Sequence, residues 1–271
     1  MRLHLVAASA LVCSLATVAL ARAQEYPQMQ PVPRTTDAAK LVEFAQRREI
    51  SERIELGFRE EVRGDWKAAA AELTRVLTLN PREPQGSTAH YDLALAQAHL
   101  GLLDAAVLSF RDAIALDPGF MAARVNLIAV ELTRNDLPAA RRAADDLLKR
   151  DPDSARGLYE RGLIALQAGD ASAALQDFGH LLRVDPSYAT ARYDLALAEM
   201  KLNRYDDAER DLRDALAIAP AFARARFALG ALFLRTGKRD QARIAFELVA
   251  QSAQDPSLRE LATSLSDTLK N

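Results

Sequence analysis

Apolar and polar residues recur along most of this chain with the spacing of amphipathic α-helices. The most regular stretch is residues 189–222, where apolar positions cluster around Leu195 and again around Leu212 on either side of a polar segment at 201–204. Apolar residues three or four apart share one face of a helix. The stretch therefore predicts two amphipathic helices joined by a short turn. Pro220 is expected to stop the second helix, since proline has no amide hydrogen and clashes with the preceding turn.

Prolines that follow aliphatic helical runs repeat at an almost constant distance. They are Pro81, Pro118, Pro152, Pro186 and Pro220, spaced 37, 34, 34 and 34 residues apart, and Pro256 follows 36 residues later. A fixed period of this length indicates a repeat protein, in which each unit buries its apolar face only by stacking on its neighbours. The longer first spacing is absorbed by residues 82–87, which are either a surface insertion or a flexible joint.

Six copies of the unit share a pattern: a small residue, usually after Leu, in the first helix, then Ala in the second helix with a larger apolar residue four positions later. The residues are Leu56, Gly57, Ala69 and Leu73 in copy one; Leu93, Ala94, Ala106 and Phe110 in copy two; Leu127, Ile128, Ala140 and Ala144 in the degenerate copy three; Gly162, Ala174 and Phe178 in copy four; Leu195, Ala196, Ala208 and Leu212 in copy five; and Leu229, Gly230, Phe233, Ala242 and Phe246 in copy six. Across about residues 50–256 this pattern resembles the tetratricopeptide repeat family. Arg53, Arg124, Arg192 and Arg226 depart from it, because the family often has a large apolar residue at their position.

The resemblance implies an all-α, right-handed solenoid of antiparallel helix pairs. The six repeats are expected at 50–83, 87–120, 121–154, 155–188, 189–222 and 223–256. Residues 37–49 predict a further helix, which either continues into the first repeat or caps it. Pro138 fits the first turn of a second helix capped by Asp136.

Residues 257–271 predict a helix that caps the C-terminal end of the repeats. Ser257 and Glu260 have the spacing of a capping box. Leucines that recur at helical spacing are expected to form its apolar face, and they are Leu258, Leu261, Leu265 and Leu269.

The N-terminus has the composition of a targeting segment. An apolar run at 5–21 follows Arg2 and ends in an Ala-x-Ala sequence at 21–23, which is typical of a cleaved secretory signal peptide over residues 1–23. An uncleaved membrane anchor is the alternative. The proline-rich residues 24–36 predict an extended tether. The protein is therefore expected to be periplasmic or secreted, without stable membrane insertion once the signal is removed.

Composition and charge narrow the classes of function. Without residues 1–23 the chain has 33 basic and 37 acidic residues and no cysteine, so it cannot form a disulfide and lacks the basic surface typical of nucleic-acid binding. His90, His99 and His180 do not have the spacing of metal ligands. No nucleophile motif or cofactor motif is present, so we expect neither catalysis nor a bound cofactor.

The resemblance also implies a ligand surface, since in this family the first helices line a concave groove that holds peptides. One groove position holds Ile54, Tyr91, Val125, Tyr159, Tyr193 and Phe227, and a second, four residues later, holds Phe58, Leu95, Ala129, Leu163, Leu197 and Ala231. The rings are expected either to grip a peptide or to pack the helix pair. Glu55, Asp92, Asn126, Glu160 and Asp194 follow the first position, and if they face the groove they favour a partner with basic or hydrogen-donating groups.

These observations predict a binding protein. The favoured hypothesis is an exported scaffold of a bacterial cell envelope that captures a peptide segment or a protein subunit in its groove. One alternative is binding of a glycan or cell-wall polymer, whose sugar rings would stack on the groove aromatics. A third is an enzyme whose site the sequence does not reveal.

Overall fold

The computed structural model describes residues 37–270, which form thirteen α-helices and no strand. The helices are α1 (Ala38–Arg63), α2 (Trp66–Thr78), α3 (Gln85–His99), α4 (Leu103–Leu116), α5 (Met121–Thr133), α6 (Leu137–Arg150), α7 (Ala155–Ala168), α8 (Ala171–Val184), α9 (Ala189–Lys201), α10 (Tyr205–Ile218), α11 (Ala223–Arg235), α12 (Arg239–Ser252) and α13 (Pro256–Lys270). The turns between the helices of a pair are too short for anything but antiparallel packing. This confirms the predicted all-α repeat fold. The predicted signal peptide and tether lie outside the described residues.

The predicted N-terminal helix is continuous with the first repeat. Helix α1 runs without a break from Ala38 to Arg63, and the Asp37 carboxylate caps it by accepting from the Ala39 amide at 3.0 Å. Its first two turns are largely exposed, and Ile50 and Ile54 mark where it enters the core. The sequence left open whether this segment continues or caps the repeat, and the structure shows that it continues.

The turn inside every helix pair contains one residue in the left-handed backbone region. These residues are Gly64, Gly101, Asn135, Gly169, Asn203 and Gly237, with φ between 60° and 85°. Glycine has no Cβ to clash in this region, and asparagine tolerates it better than other residues do. The Gly or Asn at this point of each repeat therefore fixes the reversal of the chain. Sequence reasoning missed this signal.

The boundaries between pairs follow the prolines. Helices α4, α6, α8 and α10 end two residues before Pro118, Pro152, Pro186 and Pro220. Helix α6 starts at Leu137, and the Asp136 carboxylate accepts from the Ala139 amide at 2.9 Å. Pro138 therefore lies in the first turn, as predicted, where an amide hydrogen has no helical partner.

The start of α13 differs from the sequence prediction. Helix α13 begins at Pro256 and its cap is Asp255, whose carboxylate accepts from the Ser257 amide at 2.9 Å. The predicted capping box at Ser257 is therefore wrong by two residues, because proline at the first helical position makes Asp255 the preceding cap. The apolar face also differs, since Leu261 is exposed and Ala262 is fully buried.

The chain divides into two compact units, which join within α6. In the described part of the first unit, residues 37–146, the core includes Phe110 and Val130. In the second unit, residues 147–270, Phe178, Leu212 and Phe246 are fully buried between helix pairs.

Each helix pair fills its crossing with one large and one small side chain. A Cβ at Gly162 would lie 2.6–2.9 Å from the Phe178 ring, and one at Gly230 would lie 2.8–3.1 Å from Phe246. The third pair has the opposite arrangement, with Ile128 on the first helix and Ala144 on the second, both fully buried. The departure of copy three from the family pattern is thus an exchange of volume between facing positions.

The four arginines that depart from the family pattern form hydrogen bonds and ion pairs where the family often has apolar packing. Arg124, Arg192 and Arg226 each donate to the carbonyl of the proline six residues earlier, at 3.0, 3.3 and 2.6 Å. Arg192 also pairs with a carboxylate 19 residues later, Asp211 at 3.1 Å, and Arg53 makes the equivalent pair with Glu72 at 2.9 Å. A guanidinium has enough donors to join a loop carbonyl and a helix carboxylate at once.

Candidate binding surface

The first helices of successive pairs form the inner layer of each unit. Helix α1 contacts α3 in the first unit, and α7 contacts α9 and α9 contacts α11 in the second. The second helices α2, α4, α8, α10 and α12 each pack against the helix before and the helix after them in the chain. We call the surface shared by the adjacent first helices α7, α9 and α11 the inner face of the second unit.

Tyr91, in the first unit, is a core residue. Its side chain is only 5% exposed and lies against Phe110 and Phe120, at ring-centroid distances of 5.8 and 4.8 Å. The Asn126 side-chain amide donates to its hydroxyl at 2.9 Å. The predicted grip of a peptide by Tyr91 is therefore wrong, because the ring is enclosed by its own repeat and the next one.

Tyr159 is the equivalent ring in the second unit and is half-buried. Its ring centroid lies 6.0 Å from that of Phe178 and 5.3 Å from that of Tyr188, and its hydroxyl donates to the Asp194 carboxylate at 2.9 Å. Burial and the nearby Asp194 charge raise the pKa of Tyr159 well above its ordinary value, so the hydroxyl keeps its proton and remains a donor.

Tyr193 and Phe227 continue this row on α9 and α11. The ring centroids of Tyr193 and Phe222 are 5.1 Å apart, and those of Phe227 and Phe246 are also 5.1 Å apart. Both rings are half-buried, as are Leu163 and Leu197 at the second groove position. Each of these side chains packs on one side and is accessible on the other, so its role in binding stays a prediction.

The acidic residues beside the rings point into the protein. Asp92 is 1% exposed, Glu160 5% and Asp194 8%. Burial raises the pKa of Glu160, and Arg156 at 2.7 Å opposes the rise. Burial also raises the pKa of Asp194 to about 6, against the Tyr159 hydrogen bond and the charge of Arg224. Asp92, Glu160 and Asp194 therefore do not support the predicted preference for a basic partner, because their carboxylates are buried, whereas Glu55 on α1 is exposed.

Two inter-repeat bonds explain where these polar residues point. Asn126 bonds Tyr91 and Asp194 bonds Tyr159, and in both cases the polar residue lies 35 positions after the tyrosine. The ring of one repeat thus meets the polar residue on the neighbouring first helix. A tyrosine with Asn or Asp 35 residues later could have predicted these hydrogen bonds from the sequence. That prediction would first need the knowledge that the two first helices are adjacent.

Two further charged residues of these helices, one buried and one exposed, were not found from the sequence. Glu199 on α9 is 3% exposed, and burial together with the neighbouring Asp211 and Asp207 raises its pKa to about 7. Arg224 on α11 is exposed beside the aromatic row.

His99 and His180 each contact another side chain of the protein. His99 stacks on Trp66 with ring centroids 3.8 Å apart, and burial lowers the pKa of His99. His180 lies 2.8 Å from the Asp153 carboxylate. Among residues 37–270, no group of three acidic, histidine or cysteine side chains is placed to hold a metal ion. The same residues include no helix with the length and apolar content needed to cross a bilayer.

Solved structures with this fold cover most of the chain. The Pseudomonas aeruginosa protein PilF is 18% identical with a TM-score of 0.62, and the alignment covers 81% of this chain and 99% of PilF. A tetratricopeptide repeat protein of Parabacteroides merdae is 19% identical with a TM-score of 0.60, covering 83% of this chain and all of that protein. YrrB, described as a repeat protein with an unusual peptide-binding site, is 15% identical with a TM-score of 0.57, covering 72% of this chain and 99% of YrrB.

No match was found among curated protein sequences. The tetratricopeptide repeat family model matches residues 60–119, 127–189, 165–220 and 193–257, which together are more than half of the chain. The matched segments contain the second helix of every pair, the left-handed turns and the closing prolines described above. The chain belongs to the tetratricopeptide repeat family.

Proposed function

We propose that the protein is an exported scaffold that captures an extended peptide segment or a protein subunit on the inner face of its second unit. The observation that carries the proposal is the row of half-exposed apolar side chains on three adjacent helices. Tyr159, Tyr193 and Phe227 form the row, with Leu163 and Leu197 one turn further along. Large rigid side chains that are already held in place lose little entropy when a ligand binds to them.

Family membership supports a protein partner over a small molecule. The helix pairs of this family are used for protein interaction, and YrrB, which has a similar fold, carries a peptide-binding site. A surface repeated along a stack suits a ligand with its own linear repeat, which an extended chain provides.

The sequence of residues 1–36 supports export. An apolar run, an Ala-x-Ala end and a proline-rich segment precede the first helix. We propose that residues 1–23 are removed and that the scaffold organises a complex of the cell envelope. The intact mass of the protein from the native host tests the first part, since retention of residues 1–23 would contradict it.

Site-specific photocrosslinking in the native host tests the scaffold proposal. A photoreactive phenylalanine replaces Thr190, an exposed residue on α9 one turn before Tyr193. The matched control places it at Arg141, an exposed residue on the second helix α6. We expect defined protein adducts from position 190 and none from position 141. Equal adducts from both positions, or recovery of polysaccharide alone from position 190, would refute capture of a protein on this face.

A further inference from the structure

The inner helices of the second unit bury every acidic side chain that they carry. Helices α7, α9 and α11 contain three acids, and Glu160, Asp194 and Glu199 are all less than a tenth exposed. The same helices contain seven bases, which are Arg156, Arg161, Arg192, Lys201, Arg224, Arg226 and Arg235. The accessible charge on this face is therefore positive, although the whole chain has a formal net charge of −2.

Three of these bases form hydrogen bonds to carboxylates or carbonyls within the repeats. Arg161 bonds Asp177 at 2.6 Å and Arg192 bonds Asp211 at 3.1 Å. Arg226 donates to the Pro220 carbonyl at 2.6 Å. These contacts join first helices to second helices and loops.

Two arginines occupy the same position beside the row. Arg156 precedes Tyr159 by three residues, and Arg224 precedes Phe227 by three residues, so each lies one helical turn before its ring. Arg156 bonds Glu160 at 2.7 Å and stays partly exposed. The equivalent residues of the first unit, Ser51, Thr88 and Ala122, carry no charge.

Arg224 differs from the other cations of this face. It is exposed, and among residues 37–270 it makes no hydrogen bond or ion pair, whereas Arg156, Lys201 and Arg235 each make one. Its charge nevertheless acts on Asp194 and Tyr193, which lie on the neighbouring helix α9. On its own helix α11 it lies one turn before Phe227, so it borders the aromatic row.

A second set of cations lies at the other end of the inner helices. Lys201 and Arg235 each follow their ring by eight residues, at the last residues of α9 and α11. Lys201 donates to the Leu166 carbonyl at 3.2 Å, and Arg235 donates to the Tyr205 hydroxyl at 2.9 Å. The apolar row is thus bordered by positive charge on both sides.

We propose that the inner face of the second unit selects an acidic extended peptide, with a carboxylate bound at Arg224 and apolar side chains against Tyr193, Leu197 and Phe227. A guanidinium offers paired donors that match the two oxygens of a carboxylate. Arg156 and Arg224 are two repeats apart, which at about 10 Å per packed helix is about 20 Å, the span of roughly six extended residues. A ligand that uses both arginines would carry acidic residues about six positions apart. The inference rests on the proposed function and adds the chemistry of the partner.

Selection from a random dodecapeptide library displayed on phage provides the test, with the full mature chain immobilised. We expect the selected peptides to be enriched in Asp and Glu together with apolar residues, relative to the unselected library. The affinity of one selected peptide is then measured by fluorescence anisotropy. Arg224→Glu should weaken it about tenfold or more, since attraction becomes repulsion, and added salt should weaken wild-type binding.

Two matched variants separate charge from structure. Arg224→Lys keeps the charge and should retain most of the affinity, while Arg141→Glu makes the same charge reversal on α6 and should change it less than about twofold. Enrichment of Lys and Arg, enrichment without charge bias, no enrichment at all, or full affinity in Arg224→Glu would each overturn the acidic preference. The crosslinking from position 190 decides the scaffold proposal separately, because protein adducts there do not depend on the partner's charge.

Discussion

The exchange of volume between facing helices can be tested by rebuilding one repeat in the arrangement of another. Phe178 is fully buried, and its ring occupies the space above Gly162. Phe178→Ala should cost about 3–5 kcal/mol, from lost burial and the cavity left behind. Gly162→Ile alone should also destabilise, by about 1–3 kcal/mol or more, because even its Cβ would lie 2.6 Å from the ring.

The double variant has a natural precedent in the third helix pair. Ile128 and Ala144 stand there at the positions of Gly162 and Phe178, and both are fully buried. If the two effects were independent, the double variant would lose about 4–8 kcal/mol. We expect a loss of only about 1–2 kcal/mol, since the new isoleucine occupies most of the space that the ring vacates and a helical glycine is removed.

Urea unfolding of the four proteins, followed by circular dichroism, gives the coupling free energy of the pair. The expected coupling is at least about 2 kcal/mol in favour of the double variant. Phe178→Ala combined with Gly230→Ile is the control, because these residues lie in different helix pairs and should be additive within about 0.5 kcal/mol. Additivity of Phe178→Ala with Gly162→Ile would refute the volume exchange.

Three further predictions concern buried polar groups and turns. Burial raises the pKa of Glu199 to about 7 from its unfolded value of 4.5, so the stability that its neutral form contributes is present at low pH and lost as pH rises through about 7. Glu199→Gln should therefore raise the free energy of unfolding more at about pH 8 than at about pH 5. An equal effect at both pH values would contradict this. Tyr159→Phe should cost about 1–3 kcal/mol near neutral pH in urea unfolding, as Asp194 loses a hydrogen bond while buried. Gly169→Ala should lower stability by about 1 kcal/mol because φ is +85° there, whereas Gly179→Ala, with open space around it in α8, should be neutral or stabilising by up to about 1 kcal/mol.

Periodicity was enough to predict the fold. Apolar spacing located the helices, and prolines at intervals of 34 residues located the boundaries between pairs. These signals are local, since a helix depends on its own face and a proline acts on its own backbone. Such local signals located the ends of helices less well. At α13 the sequence prediction placed the cap at Ser257, but Pro256 is the first helical residue and Asp255 is the cap.

The sequence by itself determined the helix pairs, their number and the row of residues at one position of the first helices. Only the tertiary structure decided which way those residues point. Asp194 was a candidate for the groove until the packing of α7 on α9 placed it under the Tyr159 hydroxyl, and Tyr91 was a candidate until Phe120, the last residue of its own repeat, covered it. The physical reason is that exposure depends on the register between helices far apart in sequence. That register buries the carboxylates of the second unit's inner helices and leaves Arg224 at the surface.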